Sequence, residues 1–370
     1  MADDLAALAP DLASLGWDAE HDRWAAGRGR VARADRGYCT VFTGGAAVLA
    51  ASAAARADLG SAPATGDFVL VRSDPVDGPV VADIAPRRTE LARRAAGRSP
   101  EPQVLAANCD DVLVLHGLDR PLNARRLERQ LVVSWASGAT PVVVLTKADL
   151  VSAAEEKEVL SAVRACAPDV QVEVVSTVTG RGVDALLARA RGTVPGLPRT
   201  LALLGVSGIG KSTLVNGLSG GEVQRVGNVR AADHKGRHTT VSRDLIPLPG
   251  GGIVIDAPGV REFGLWQAES GVDRTFAEIT AMATTCRFSD CEHQDEPGCA
   301  VREGVRAGAI DLARLQHWRQ LLAELGEQDE QLAEFDRRAE SRDRAEVERR
   351  ATGERPPKPA RSRATRRRRR

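Results

Sequence analysis

A glycine-rich segment in the second half of the chain has the residue types and spacing of a phosphate-binding loop. It fits the pattern G-x-x-x-x-G-K-S/T, in which backbone N–H groups surround the phosphates of a nucleotide. Lys211 would place the catalytic positive charge on the outer phosphates, and the Ser212 hydroxyl would ligate Mg²⁺. The predicted contacts are Gly205, Val206, Ser207, Gly208, Ile209, Gly210, Lys211, Ser212 and Thr213.

A second acidic motif follows an apolar run, where a G-protein would have another Mg²⁺ ligand. Asp256 closes that run and begins Asp-Ala-Pro-Gly, so its carboxylate and Gly259 should lie at the carboxyl edge of a parallel sheet. Between the two motifs, the polar segment 233–240 contains hydroxyls that could complete the Mg²⁺ shell while the γ-phosphate is present. Thr239 and Thr240 both remain open as that ligand.

Selection of the base is expected from a motif that precedes the phosphate loop. Asp149 ends a match to N/T-K-x-D, and its carboxylate can accept hydrogen bonds from N1–H and the 2-amino group of guanine, donors that adenine does not offer. A threonine hydroxyl replaces the more common asparagine amide at the first position. After a later apolar run, Ser176-Thr177 should cover the guanine oxygen with backbone N–H groups. The predicted guanine contacts are Thr146, Lys147, Ala148, Asp149, Ser176 and Thr177.

These motifs occur in the reverse of the usual G-protein order, which indicates a circularly permuted domain. The same strands can form the same sheet if the old termini are joined and a surface loop is opened. The permutation also makes the segments that sense the γ-phosphate lead directly into the C-terminal region.

A cluster of cysteines and a histidine follows the nucleotide motifs. Its spacing, C-x4-C-x-H-x5-C, offers three thiolates and one imidazole, which would complete a tetrahedral zinc site with no position left for a substrate. We therefore expect one structural zinc ion, and interpret the dispersed Cys39, Cys109 and Cys166 as core residues. The predicted zinc ligands are Cys286, Cys291, His293 and Cys299.

Strand and helix patterns place these motifs in a chain of 370 residues, long enough for two or three domains. Apolar runs before the nucleotide motifs predict the strands of an α/β domain. Five short strand candidates between residues 28 and 95 suit a small β-barrel. Apolar residues after the cysteine cluster recur at helical spacing and predict a core-facing stripe: Leu312, Leu315, Trp318, Leu322 and Leu325.

Charge is balanced overall but concentrated at the C-terminal end. The net charge is +1, whereas residues 355–370 contain eight arginines, one lysine and no acid. That composition is typical of a disordered segment attracted to polyanions, with a purely solubilising role as the alternative. We find no charged-then-apolar signal sequence and no apolar stretch of about 18 residues, so we expect a cytoplasmic protein without a membrane partner.

The combined motifs make the chain resemble the ribosome small-subunit-dependent GTPase A (RsgA) family of circularly permuted GTPases. The resemblance covers about residues 28–320 and rests also on the segments 103–110, 127–131, 235–240 and 286–291. It implies an N-terminal OB-fold, a central α/β P-loop GTPase domain and a C-terminal, mostly α, zinc-binding domain. The implied divisions are 1–27 (extension), 28–97 (OB-fold), 98–268 (permuted GTPase), 269–340 (zinc-binding and helical) and 341–370 (basic tail).

The resemblance also implies an activity. Members couple GTP hydrolysis to late maturation of the small ribosomal subunit and to release of assembly factors, with GTP favouring docking and hydrolysis favouring release. The expected partners are that subunit, its rRNA, GTP and GDP, and the expected state is a monomer. Basic residues after the barrel are candidates for RNA phosphate contacts, with an ordinary solvated surface as the alternative: Arg87, Arg88, Arg93, Arg94 and Arg98.

One part of the hydrolytic machinery differs from many GTPases. Val260 stands where a water-orienting glutamine is common, so we hypothesise that His238 positions the water and that the ribosomal subunit completes the site. Two other functions remain open: an RNA-binding nucleotide switch with incidental hydrolysis, and a P-loop ATPase or small-molecule kinase. Asp149 is the residue that separates guanine from adenine binding.

Overall fold

The computed structural model describes residues 10–17, 24, 26–52, 61–94, 102–194, 196–221, 243–256 and 265–352. The chain divides into two compact units, Met1–Leu325 and Gly326–Arg370. The first unit contains a β-barrel, a six-stranded sheet with its helices and a group of C-terminal helices, whereas the described part of the second, 326–352, is helical. The following predicted features lie outside the described residues: His238, Thr239, Thr240, Gly259, Val260 and the tail 355–370.

Five short strands close into a barrel in the N-terminal part of the chain. They are β1 (Arg28–Ala34), β2 (Tyr38–Phe42), β3 (Ala47–Ala51), β4 (Phe68–Asp74) and β5 (Gly78–Ile84). Their order is β1-β2-β3-β5-β4, with β3 parallel to β5 and the remaining neighbours antiparallel. Val31, Val41 and Val69 are buried together in its interior, because alternate residues of a strand face one side. The predicted barrel is confirmed.

A hairpin follows the barrel, where the sequence showed mainly basic residues. Its strands, β6 (Glu90–Arg94) and β7 (Pro102–Ala107), pair antiparallel. Arg87, a predicted RNA contact, instead donates from Nε and Nη2 to the two carboxylate oxygens of the fully buried Asp67, at 2.7 and 2.8 Å. This side chain therefore fixes the barrel, and Arg98 lies outside the described residues.

The six-stranded sheet is parallel except for one edge strand. Its strands are β8 (Asp111–Gly117), β9 (Thr140–Thr146), β10 (Gln171–Val174), β11 (Thr200–Leu204), β12 (Leu245–Pro247) and β13 (Ile253–Asp256). Their order is β10-β9-β8-β11-β13-β12, and β12 is the antiparallel strand. The central strands are rich in valine, leucine and isoleucine, because helices cover both faces.

Four helices cover the two faces of this sheet. They are α1 (Ala124–Ala136), α2 (Ala153–Cys166), α3 (Val183–Arg191) and α4 (Lys211–Ser219). Leu131 of α1 and Val163 of α2 pack in one apolar core, whereas Leu186 of α3 and Leu214 of α4 pack in another. All parallel strands thus end at one side of the sheet, which we call the upper edge. Their amino ends form the lower edge.

Four further helices follow the sheet: α5 (Glu269–Thr275), α6 (Ala277–Ala283), α7 (Ala300–Arg306) and α8 (Leu312–Thr352). Leu315, Trp318 and Leu325 of α8 are buried as predicted, but Leu312 and Leu322 are exposed. Leu321 is buried next to the exposed Leu322. Three of the five predicted positions therefore face the core. Within the described residues, no helix combines the length and the apolar composition needed to cross a bilayer.

A buried arginine joins the barrel to the lower edge of the sheet. Arg30 of β1 is 1 % exposed, and its guanidinium lies over the Phe68 ring at 4.6 Å from the ring centroid. Burial lowers the pKa of Arg30 to about 10, so the side chain is still charged at neutral pH. It donates hydrogen bonds of 2.7 to 3.1 Å to Leu15 O, Gly66 O, Asn108 O and Thr200 Oγ1.

Candidate nucleotide site and metal-ligand cluster

The predicted phosphate loop connects a buried strand to the start of a helix. Strand β11 is buried along its whole length, and the loop that follows it leads directly into α4 at Lys211. Gly208 and Gly210 have φ angles of 76° and 103°, a region that glycine enters without steric cost. The unpaired N–H groups of the first turn of α4 therefore face the loop, as an anion site requires.

Lys211 lies at the junction of the loop and α4. Its ammonium group donates to Gly205 O at 2.7 Å and to Val206 O at 3.2 Å. Burial lowers the pKa of Lys211, and the negative charge of Asp256 opposes that shift. A positive charge is thus held at the loop, close to the carboxylate at the end of the neighbouring strand.

The predicted guanine motif makes direct contact with the phosphate loop. The hydroxyl of Thr146, the last residue of β9, donates to Ile209 O at 2.7 Å. The Lys147 ammonium donates to Gly208 O at 3.0 Å. The threonine hydroxyl, which replaces the more common asparagine amide, thus contacts the phosphate loop directly. Two motifs in permuted order are brought together at the upper edge of one sheet.

Asp149 is held by the segment that follows β10. The hydroxyl of Ser176, which is almost completely buried, donates to Asp149 Oδ1 at 2.5 Å. The next residue, Thr177, packs against α4, since its Cγ2 lies 3.1 Å from the point where Gly217 would carry a Cβ. Asp149 itself is exposed. The structure thus orients its carboxylate while leaving it accessible to a ligand.

Two residues that the sequence analysis missed also contact this site, from the turn after β8. The Asp119 carboxylate accepts from Lys147 Nζ at 2.7 Å and from Arg120 Nε at 3.2 Å. Arg120 also donates to Gly208 O at 3.3 Å. Hydrogen bonding to Arg120 and Lys147 lowers the pKa of Asp119 to about 2. Both cations therefore converge on one carbonyl of the phosphate loop, with Asp119 between them.

The spacing of this turn contained a signal for Asp119. An apolar run of the kind found in a buried strand ends just before it, at the same edge as the other motifs. A Cβ on Gly117 would lie only 2.4 Å from Asp119 Oδ1, so a glycine is needed where the carboxylate folds back. The sequence shows the strand and the glycine, but not the direction of the aspartate side chain.

Asp256 lies where its motif predicted, at the carboxyl end of β13. It is opposite Leu203 in the register with β11, and its carboxylate is mostly buried. Its backbone N–H donates to Asp244 O at 3.2 Å, just before β12. Ser212 is in the first turn of α4, the helix that follows β11. These two predicted Mg²⁺ ligands therefore follow neighbouring strands of the sheet.

The predicted metal ligands Cys286, Cys291, His293 and Cys299 come together. All four ligand atoms lie within 4.8 Å of one another, and they could hold a metal ion. His293 Nδ1 is 3.5 Å from the sulfur atoms of Cys286 and Cys299, which are 3.9 Å apart.

The three isolated cysteines differ from this cluster. Burial raises the pKa of Cys39 and Cys166 to about 11 and of Cys109 to about 12. These buried thiols remain protonated at neutral pH, whereas a metal ligand must be a thiolate. Their interpretation as core residues is consistent with this burial.

Helix α8 contacts both the cluster and the nucleotide domain. The ring of Trp318 packs against that of His293, with centroids 5.5 Å apart. One turn away, Arg314 donates to Glu128 Oε1 of α1 at 2.6 Å, and His317 pairs with the other oxygen of the same buried carboxylate. The helix therefore packs on both the cysteine segment and the nucleotide domain.

Comparison with known proteins identifies one family and several relatives that are similar to this chain in sequence. A family model described as RsgA GTPase matches residues 84–266. A protein from Streptomyces avermitilis is 44% identical over 323 residues, covering 85% of this chain and 85% of that protein. Relatives from Streptomyces coelicolor (42% over 352 residues, 92% of each chain) and Methanosarcina acetivorans (40% over 298 residues, 80% and 79%) are similar. All three are named small ribosomal subunit biogenesis GTPase RsgA.

Two solved structures share the fold. YjeQ from Thermotoga maritima matches with a TM-score of 0.56 and 23% identity, covering 81% of this chain and 98% of that chain. YloQ, described as a circularly permuted GTPase, matches with a TM-score of 0.57 and 19% identity, covering 83% and 97%. The predicted architecture, an N-terminal barrel before a permuted P-loop domain, is confirmed by this likeness.

Proposed function

The chain belongs to the RsgA family of GTPases, and from this membership we propose that it hydrolyses GTP to drive late maturation of the small ribosomal subunit. The observation that carries the proposal is the contact of Thr146 and Lys147 with the carbonyl groups of Ile209 and Gly208. A motif for guanine and a loop for phosphates are thereby held in direct contact. The related proteins carry this activity in their names.

Each motif has a proposed role in binding GTP. The backbone N–H groups from Val206 to Thr213 bind the phosphates, and Lys211 neutralises charge on the outer ones. The Asp149 carboxylate accepts hydrogen bonds from N1–H and the 2-amino group of guanine. Ala148 and the segment Ser176-Thr177 contact the base. The Ser176 hydrogen bond supports this role, because it fixes the Asp149 carboxylate before the nucleotide arrives.

Mg²⁺ fits the oxygen donors at the upper edge. Ser212 offers a hydroxyl and Asp256 a carboxylate from neighbouring strand ends, and such hard oxygen ligands suit this ion. Held there by Ser212 and Asp256, Mg²⁺ would supply positive charge that offsets the charge developing on the phosphates during transfer. We propose Thr239 or Thr240 as the further ligand, and Gly259 as the sensor of the γ-phosphate.

The attacking water requires a group that the motif itself lacks, since Val260 has no polar side chain. We propose that His238 orients this water and that docking on the small subunit completes the arrangement. The test is GTP turnover by the full chain with and without small ribosomal subunits, for the native protein and for His238→Ala. Equal rates with and without subunits would contradict activation, and an unchanged His238→Ala variant would remove that residue from the mechanism.

The cysteine cluster is proposed to bind one structural zinc ion. Tetrahedral ligands with a metal–sulfur distance of about 2.3 Å lie about 3.8 Å apart, close to the 3.9 Å between Cys286 and Cys299. Three sulfurs and one nitrogen fill all four positions. Metal analysis of the full chain should find about one zinc per protein. Cys299→Ser should lose it, and Cys39→Ser, which changes a buried cysteine of the barrel, should keep it.

The partner and the domain divisions belong to the same proposal. We propose the OB-fold at 28–97, the GTPase domain at 98–268 and the zinc-binding domain at 269–340, flanked by 1–27 and the basic tail 341–370. The protein acts as a cytoplasmic monomer that binds rRNA of the small subunit.

Sedimentation with small subunits tests this partner. The protein should pellet with subunits in the presence of a non-hydrolysable GTP analogue and remain in the supernatant with GDP. Equal pelleting in both states would contradict a nucleotide-controlled docking cycle, and no GTP turnover under any condition would contradict the proposed activity itself.

A further inference from the structure

Strand β1 of the barrel carries two arginines that both leave the barrel toward the sheet. Residues three apart in a regular strand point to opposite sides. The register between β1 and β2 shifts between Val31 and Arg33, so one extra residue is inserted there. Val31 accordingly points into the barrel core, while Arg30 and Arg33 both point outward. The bulge thus directs a second arginine at the nucleotide domain.

Arg33 reaches the upper edge of the sheet, in contrast to Arg30. Its Nε and Nη2 atoms donate to the two carboxylate oxygens of Asp244 at 2.5 and 2.8 Å. The side chains are only 12% and 16% exposed, so water screens this pair weakly. A bidentate arginine–carboxylate pair also fixes orientation, because both groups are planar. A second contact supports it, since Thr65 Oγ1 of the barrel donates to Arg243 O at 3.1 Å.

Asp244 connects this pair to the strand that ends at Asp256. It directly precedes β12, which runs antiparallel to β13 with Leu245 opposite Ile255. The carbonyl oxygen of Asp244 accepts the backbone N–H of Asp256 at 3.2 Å. Asp244 is therefore held by the barrel through its own side chain, and it holds the Asp256 N–H through its own backbone carbonyl.

From this geometry we propose that Arg33 is a positioning residue for the GTPase reaction, acting through Asp244 on the backbone of Asp256. The inference rests on the proposed role of Asp256 as a Mg²⁺ ligand. With Arg33 in place, the barrel fixes where the Asp256 carboxylate stands relative to the phosphate loop. Without it, the start of β12 loses its ion pair with the barrel, and Asp256 samples more positions.

The direct test is amide hydrogen exchange of Asp256 in the nucleotide-free full chain. Arg33→Gln removes the charge and the paired donors, and we expect exchange at the Asp256 amide to become about tenfold faster. The Mg²⁺ concentration for half-maximal GTP turnover should rise about fivefold. Affinity for GDP measured in EDTA should stay within about twofold, because the guanine and phosphate contacts remain. A general loss of folding would move all three measurements together.

Arg129→Gln is the matched control. It breaks another bidentate pair, in which Arg129 donates to the two oxygens of Glu324 at 2.5 and 2.6 Å, between α1 and α8. This variant should leave Asp256 exchange and Mg²⁺ dependence unchanged. The exchanged pair, Arg33→Asp with Asp244→Arg, should recover part of the native behaviour. Should Arg33→Gln not fold, Asp244→Asn, which has the same shape as the native residue, provides the same measurements.

The outcomes separate this inference from the proposed function. Native Asp256 exchange in Arg33→Gln or Asp244→Asn, or an equal change in Arg129→Gln, would overturn the positioning role. If the native protein hydrolyses GTP with Mg²⁺ and the Arg33 and Asp244 variants behave like the native protein, the positioning inference fails and the proposed function stands. If the native protein shows no Mg²⁺-dependent GTP turnover, the proposed function fails, whereas the exchange measurement still reports on the link from Arg33 through Asp244 to the Asp256 backbone.

Discussion

The carboxylate clusters around Asp111 at the lower edge of the sheet and around Asp119 and Asp149 at its upper edge differ in exposure. At the lower edge, the fully buried Asp111 accepts from Arg189 and Arg199, each at 2.9 Å. Arg30 is equally enclosed beside it. At the upper edge, the paired side chains of Asp119 and Lys147 are 26% and 27% exposed, and Asp149 is exposed. Charge density alone therefore does not mark the functional side.

Access to a ligand distinguishes the two edges. A buried ion with its hydrogen-bonding positions occupied cannot bind a ligand without a large cost in desolvation and lost partners. A partly exposed ion that contacts a loop of backbone N–H groups can exchange partners when a phosphate arrives. We therefore expect substitutions at the lower edge to change stability and those at the upper edge to change nucleotide binding.

The largest expected effect is at the lower edge. Arg30→Met keeps much of the apolar volume but removes a buried donor from the oxygen atoms of Leu15, Gly66, Asn108 and Thr200, of which Gly66 O still accepts from Asn108 Nδ2 at 3.2 Å. We expect the free energy of unfolding to fall by about 3–5 kcal/mol, measured by urea denaturation. Guanine nucleotide affinity of the folded fraction should remain near that of the native protein.

Arg36→Met is the control for this substitution, since Arg36 is exposed in the turn between β1 and β2. It should change stability by no more than about 0.5 kcal/mol. If Arg30→Met is fully folded and still loses nucleotide affinity, the distinction between a stability effect at the lower edge and a binding effect at the upper edge fails.

The second expected effect is at the upper edge and concerns specificity. Asp149→Asn replaces a carboxylate that accepts two donors of guanine with an amide that presents one donor and one acceptor. GTP affinity should fall about a hundredfold, or about 2.7 kcal/mol, while xanthosine triphosphate binds better than GTP. Competition binding with GTP, ATP and xanthosine triphosphate measures this change. A midpoint of thermal unfolding close to the native value would sharpen the comparison, whereas tighter ATP binding would contradict the assignment of the base.

The upper edge was largely readable from the sequence, for a physical reason. A phosphate loop needs glycines, a lysine and a hydroxyl at fixed spacing, so the short segment from Gly205 to Ser212 is enough to predict it. Thr146 to Asp149 and Cys286 to Cys299 are local in the same sense. The barrel could also be predicted, because its short strands alternate and are separated by turn residues.

Contacts between distant segments were not readable in this way. Arg30 and Arg33 look alike in sequence, and the bulge that directs both outward depends on pairing with β2. Arg87 looked like an RNA contact because its acidic partner, Asp67, lies in another part of the barrel sequence. On the inner face of α8, the prediction took Leu322 for a core residue, but tertiary packing buries Leu321 instead. Side-chain direction and partner choice are decided by the fold, not by local spacing.

The smallest expected effect tests whether Asp119 belongs to the upper edge functionally. Asp119→Asn removes the charge that holds Lys147 and Arg120 against Gly208 O. These groups are partly exposed, so we expect GDP and GTP affinity to fall by about fivefold or less. The pKa of Asp119 is lowered to about 2, so its charge contributes above about pH 4 and is lost only as the pH falls toward 2. The loss of affinity should thus be the same at pH 6 and pH 8.

Two further variants decide how Asp119 acts. Gly117→Ala would place a Cβ 2.4 Å from Asp119 Oδ1, which displaces the carboxylate without removing it, and should reproduce the weaker nucleotide binding. Glu156→Gln breaks a comparable pair, in which Arg181 donates to both oxygens of Glu156 at 2.7 Å on the surface, and should leave affinity unchanged. Native affinity in both Asp119→Asn and Gly117→Ala would assign Asp119 to local packing only. Because its two cations share one loop carbonyl, matching losses in these variants would instead extend the nucleotide site to a fifth strand end, that of β8.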